Sequence, residues 1–236
     1  GRLVTAETLI PGKVLLSGAA TTGILRQQIS QARDRGVALT VVDGALSRLS
    51  LASPTVTEAM ILATGAAVSP HLKVLVSKTR FVFNLIRLPE VENRMKESLQ
   101  TIESGLWSID SEGQPHDLGI ASVFLLDKHD GDLFRYGTTL FASGAVSDRL
   151  LKYLAARPDA KDIILKARDV TKLFITPETY AEYTRRGGRL QVLQRSNLEA
   201  ICFNPTSPQG YRLNSAEACR VLSDTLETPV YDVMMI

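Results

Sequence analysis

A chain of 236 residues with 44% apolar residues has room for one large domain or two small ones and carries enough hydrophobic material for a full core, which excludes a disordered chain. Its net charge of +2 comes from nearly balanced acids and bases without a basic block, and aromatics are few, so the footprint of a nucleic-acid binder is missing. The longest low-charge run, residues 59–70, is too short to cross a bilayer, and the first residues lack a signal peptide's charged start and apolar middle. The expectation is a soluble cytoplasmic protein with no membrane partner.

Residues 13–17 (KVLLS) read as a strand feeding a helix over 22–35, where Ile24, Leu25, Ile29 and Ala32 recur at helical spacing and Gly36 ends the element. Between them, Gly18 to Gly23 has the glycine spacing of a phosphate-binding P-loop. Ile24 and Leu25 occupy the positions where such a loop needs a Lys for the β/γ-phosphates and a hydroxyl for Mg²⁺. The turn is therefore read as a strand-to-helix connection, with Gly18, Thr21 and Thr22 as weaker anion-binding candidates and Thr21 or Thr22 as the cap.

Residues 37–42 (VALTVV) form an unbroken apolar run ending at Asp43. Such a run is what a strand covered on both faces of a parallel sheet looks like, and ligands bind at the carboxyl ends of those strands. A carboxylate there can hold Mg²⁺ beside a nucleotide, because a hard cation takes a fixed oxygen ligand. The loop beyond it supplies Gly44, Ser47 and Arg48, and Ser53-Pro54 reads as cap and first residue of a buried helix over 56–66. The commoner role of an Asp before a Gly, starting a turn, stands beside this reading. Residues 73–76 read as another covered strand, which puts Lys78 at a strand end where it can meet a phosphate, ahead of a helix carrying Phe81, Val82, Leu85 and Ile86. Residues 89–103 read as an exposed helix.

From 105 to 144 the pattern changes to short β-like runs (LWSI, SVFLL, DLFRY, TTLFA) broken by Asp, Gly and His clusters, with a hairpin expected across 125–136. After this excursion the alternation returns: a helix from Ser147 to Ala156, strands over 163–166 and 172–175, and a helix opened by Thr176-Pro177-Glu178 and closed by Gly187-Gly188. Two further strands follow, over 190–193 and 200–203. The last runs into Asn204-Pro-Thr-Ser-Pro-Gln-Gly210, where Asn204, Thr206 and Ser207 are ligand candidates, although the same residues are ordinary turn formers. Asn214 with Glu217 resembles a capping box on a helix to Leu226, and residues 229–234 close the chain as a strand. Cys202 and Cys219 read as reduced core thiols, and His71, His116 and His129 lack metal-ligand spacing. The expected fold is α/β: a largely parallel sheet with flanking helices, three-layered and P-loop or Rossmann-like. Residues 1–104 and 146–236 would share one domain, with 105–145 as a β-rich excursion.

Three runs, VVDGALSRLSLASPTVTEAMILATGAAVSP, LFITPETYAEYTRRGGRLQVL and ICFNPTSPQGY, resemble the P-loop family of reactivase subunits of the adenosylcobalamin-dependent lysine 5,6-aminomutase, an enzyme of amino-acid fermentation. The resemblance spans most of the chain. It implies a nucleotide-linked, chaperone-like reactivation factor whose partner is the aminomutase or another reactivase subunit. It also implies ATP or ADP with Mg²⁺ as cofactor, Asp43 as the Mg²⁺-side carboxylate and Asn204 near the base. Family members carry a Walker A segment ahead of the matched region, so the chain looks like the later portion of such a protein or a relative without that loop. ATPase activity is expected only where a Walker A segment is supplied upstream. Two other functions remain compatible with the residues alone: a stand-alone α/β enzyme or binding domain for a small phosphorylated ligand, and an interaction module without ligand.

Overall fold

The computed structural model describes residues 8–13, 18–19, 21–43, 53–120 and 133–235, and the fold over them is mixed α/β with parallel strands. Two sheets carry it. The first is three-stranded and wholly parallel, in the order β1 (Met60–Gly65), β9 (Leu198–Asn204), β10 (Val230–Asp232). The second has five strands in the order β3 (Pro115–Ile120), β2 (Leu106–Ile109), β4 (Thr139–Ala142), β6 (Ile164–Ala167), β8 (Arg189–Val192). Its β3-β2-β4 arm is antiparallel and its β4-β6-β8 part parallel, so the β-rich stretch runs directly into the α/β alternation as one sheet. Two short strands, β5 (Val146–Ser147) and β7 (Leu173–Phe174), pair separately.

Helix α1 (Thr22–Asp34) starts where the capping chemistry places it: the Thr21 hydroxyl accepts from the Ile24 N–H at 3.3 Å. No residue of α1 is buried. Residues 37–43 follow in no regular structure, contrary to the strand expected there; the composition suits a strand, but a strand needs a ladder partner, and none of the described strands pairs with this run. Residues 14–17, Ser47, Arg48 and most of the expected 125–136 hairpin lie outside the described residues.

Two elements exchange identity relative to the sequence reading. The run expected as a buried helix over 56–66 is strand β1, and the expected strand over 73–76 belongs to a single helix, α2 (Leu72–Ile86). In α2 the buried positions Leu75, Thr79, Phe83 and Ile86 recur every three or four residues, so the VLV run is one part of a helical stripe. Short uninterrupted apolar runs satisfy either periodicity, and only the tertiary partner decides. Lys78 thus sits in the middle of an exposed helical face and at no strand end. Helix α3 (Asn93–Gln100) is shorter than the expected 89–103.

The remaining α-helices, α4 (Asp148–Ala156), α5 (Pro177–Arg185) and α6 (Ser215–Leu226), lie where the sequence places them, although Ser147, expected to cap α4, stands at its N-cap position without a side-chain capping bond. Thr176 Oγ1 accepts from the Thr179 N–H, Asn214 Oδ1 accepts from the Glu217 N–H, and Gly187 takes φ +88° past the end of α5. Leu150, Leu151 and Leu154 of α4 and Tyr183 of α5 pack with Leu140, Leu165 and Leu190, while α3 offers Met95 and Leu99 to Ile109 and Phe141 of the same sheet. The three-stranded sheet has its own core, in which Leu75 and Phe83 of α2 and Ala218, Leu222 and Leu226 of α6 meet Ile201, Phe203 and Val230. Ile61, Ala63 and Tyr231, which alternate with these along the strands, are exposed. No helix among the described residues is long and apolar enough to cross a membrane.

Two expectations follow from the packing. The buried Tyr183 hydroxyl donates to the carbonyls of Ile163 (3.2 Å) and Arg189 (3.3 Å), and its ring lies against Gly188, where an added Cβ would sit 2.2 Å from Cε2. Tyr183→Phe should lower stability by about 1 kcal/mol through the lost hydroxyl hydrogen bonds, the Ile163 carbonyl keeping the Arg189 N–H, and Gly188→Ala by about 1–3 kcal/mol through overpacking, both read from urea midpoints. In the β2–β3 hairpin, Asp110 accepts from the His116 ring at 2.7 Å and from the N–H groups of Glu112 and Gln114, while His116 stacks on Tyr136 at 4.2 Å. The His116 hydrogen bond is the largest cause holding the Asp110 carboxyl below its ordinary range, with the Gln114 N–H next. Its contribution is therefore complete above the unfolded carboxylate pKa and lost as pH falls through the lower folded value. NMR titration should find Asp110 protonating at lower pH than an unstructured Asp, and His116→Ala should move it back up.

Candidate functional site

Parallel strands deliver the loops that follow them to one edge, and in β1, β9 and β10 that edge gathers residues 65–71, 204–213 and 232–235. The edge is drawn tight at Gly65, where an added Cβ would lie 2.3 Å from the Asn204 carbonyl oxygen, so only glycine permits the approach. The Ala66 N–H then donates to that same carbonyl at 2.9 Å, and the Tyr211 hydroxyl donates to the Ala66 carbonyl at 2.5 Å.

Much of the polarity of the 204–213 loop is spent on its own shape. Asn204 Oδ1 accepts from the Thr206 N–H at 2.9 Å, Ser207 Oγ accepts from the Gln209 N–H at 3.1 Å, and the Ser207 and Gly210 N–H groups bond the carbonyls of Tyr211 and Ser207. Ser207 is buried, which makes it a residue that holds the loop. Asn204 and Thr206 are exposed, and the two N–H groups of the Asn204 amide have no partner among the described residues. They leave an outward donor pair and a hydroxyl beside a close-packed backbone.

Beside this loop lies a groove of about 700 Å³ whose lining includes Arg212, Asn214, Ser215, Cys219, Tyr231 and Asp232. The Ser215 hydroxyl donates to Asp232 Oδ2, and the Met234 N–H donates to Oδ1 at 2.7 Å. These bonds, the Ser215 one first, hold the Asp232 carboxyl below its usual range. A carboxylate thus already sits at the start of α6, where the helix dipole would otherwise favour an incoming anion. Burial pushes the Cys219 thiol up, so it is a poor nucleophile.

Of the residues singled out in the sequence, Asn204, Thr206 and Ser207 come together here. Asp43 is exposed at the end of the unpaired 37–43 run, Gly18, Thr21 and Thr22 are exposed at the start of α1, and Lys78 is apart on α2. Among the described residues no three His, Cys, Asp or Glu side chains are grouped so as to hold a metal.

The structure also holds a polar cluster that the sequence reading did not single out. Asp169, which follows β6, is only 1% exposed and accepts from Ser53 Oγ (3.0 Å), the Thr171 N–H (2.8 Å) and Thr171 Oγ1 (2.5 Å). Ser53 also bonds Thr55, and Gln194 Nε2 donates to the Pro54 carbonyl at 3.3 Å. The segment read as a helix start is thereby fastened to the carboxyl edge of the five-stranded sheet. ILKARD carries the same signal as VALTVVD, a strand-like run with a carboxylate behind it, and that signal could have marked Asp169. On β6 itself, Lys166 is buried with its Nζ donating to Gln191 Oε1 at 2.5 Å, and burial pushes its amine below the ordinary lysine range against an opposing pull from Glu92.

Comparison of the chain with protein-family models, with curated proteins and with solved structures gave no match. Gly65→Ala should force β1 and β9 apart at their carboxyl ends and cost about 1–3 kcal/mol, measured by urea unfolding, with the amide resonances of Ala66, Asn204 and Thr206 shifting more than those of β6 and β8.

Proposed function

We propose that the chain is the nucleotide-facing part of a P-loop or Rossmann-like, three-layered reactivation factor for an adenosylcobalamin-dependent aminomutase, and that it binds ADP or ATP with Mg²⁺ at the carboxyl edge of the β1-β9-β10 sheet. One observation carries the reading: the all-parallel sheet brings a glycine-tight backbone and the unpartnered Asn204 amide donors to one edge, the position where open α/β sheets take nucleotides. The resemblance of the 41–70, 173–193 and 201–211 runs to the reactivase family supplies the ligand and partner classes. Asn204, with Thr206 beside it, would read the base through the amide, Ser207 would hold the loop, and Asp43 would face Mg²⁺.

The same residues argue against turnover by this chain alone. Phosphoryl transfer asks a protein mainly for positioning and charge neutralisation, and the Gly18–Gly23 turn carries Ile24 and Leu25 where those come from a Lys and a hydroxyl. Binding without hydrolysis is the expected behaviour, and the partner enzyme is the target of the bound state.

Titration of the labelled chain with Mg-ADP should shift the amides of Asn204 and Thr206 at sub-millimolar ligand. Asn204→Ala should weaken binding about 5-fold, the worth of a hydrogen bond of about 1 kcal/mol. Phosphate release from Mg-ATP should stay at background. A 204–213 loop unmoved at millimolar Mg-ADP ends the nucleotide reading. Turnover that persists through further purification and is lost in Asp43→Ala ends the expectation of binding without hydrolysis.

A further inference from the structure

Strand β1 pairs with β9 on one side, and its other edge has no ladder partner among the described residues. Edges left to solvent are normally blunted by Lys, Pro or short length, because a bare row of N–H and C=O groups recruits other strands. β1, MILATG, has six residues and neither charge nor proline, the composition of an interior strand. Upstream, residues 37–42 (VALTVV) match it in length and in lack of charge, yet lie without a ladder, with Leu39 and Val41 78% and 83% exposed.

The helix ahead of the run is tied to the segment ahead of β1. Arg33 Nη2 bonds Glu58 Oε1 at 3.1 Å and Arg26 Nε donates to the Thr55 carbonyl at 3.1 Å, which holds α1 against the segment leading into β1. Gly36, at φ +85°, then turns the chain off the end of the helix into the 37–42 run. Residues 43–59, which separate the run from β1, exceed the dozen or so that a parallel crossover requires.

We propose that residues 37–42 add to the free edge of β1 as a fourth, parallel strand of the β1-β9-β10 sheet. The addition satisfies two bare backbone edges at once and takes Leu39 and Val41 out of full exposure. Because the pairing is parallel, it delivers Asp43 to the edge occupied by Gly65 and Asn204. This last consequence rests on the nucleotide reading above: a strap that is open in one arrangement and docked in the other would add the Mg²⁺-side carboxylate to the base side of the same site.

Residue-resolved amide exchange of the whole chain without ligand tests the pairing. Amides within 37–42 should be protected at least about 100-fold relative to free-peptide rates, and Val41→Pro, which removes a ladder donor, should abolish that protection while leaving β9 and β10 protected. Free-peptide exchange throughout 37–42 in the parent chain overturns the proposal. So does protection that vanishes on dilution together with a dimer seen by light scattering, because the strand would then come from a second copy. The two readings fail separately: Asn204 shifts with Mg-ADP beside an unprotected run refute only the strand, and a protected run without Mg-ADP binding refutes only the nucleotide site.

Discussion

The parallel pairing of β1 with β9 is the constraint on which the architecture rests. Its two strands come from opposite ends of the described chain, and the whole five-stranded sheet with its helices lies between them in sequence. The contact is set by backbone more than by side chains: Gly65 admits the Asn204 carbonyl, the Ala66 N–H takes it, and Tyr211 closes over Ala66. A side chain at residue 65 would separate the strands where the site is built. Fold and candidate function therefore depend on the same few ångströms.

The later half of the chain was legible because its punctuation is chemical. Thr176-Pro177, Gly187-Gly188 and the Asn214 cap each specify a hydrogen bond or a backbone angle that few other residues supply, and each stands where it was expected. The first hundred residues carry few such marks. MILATGA and LKVLVSK are both short apolar runs, and nothing local says that the first is a strand beside β9 while the second continues a helical stripe to Ile86. Their assignment is a tertiary decision, made by pairing with a strand from far along the chain.

The candidate site was legible in the same uneven way. Asn204 follows an apolar run that is a true strand in a parallel sheet, so the rule about carboxyl ends applies to it. Asp43 follows an equally apolar run that has no ladder in this arrangement, and the rule has nothing to act on. Asp169 does follow a paired parallel strand, but its carboxylate is consumed by Ser53 and Thr171, which makes it a fastening for the 53–55 segment. Sequence marks a strand-end carboxylate and leaves open whether its lone pairs face ligand or protein.

Helix α2 belongs to two cores at once. Leu75 and Phe83 pack into the three-stranded sheet's core, while Leu85 and Ile86, on another face of the helix, pack among Leu150, Leu154 and Tyr183 beneath the five-stranded sheet. A rigid helix transmits loss of order along its length, since each turn depends on the hydrogen bonds of the next. Melting either core strips one face of α2 of its packing and withdraws a wall from the other, so the two sheets are coupled into a single cooperative unit. Within such a unit the carboxyl edge of the β1-β9-β10 sheet cannot soften in isolation, and any molecule seated there would stabilise the distant α4–α5 side as well as its own.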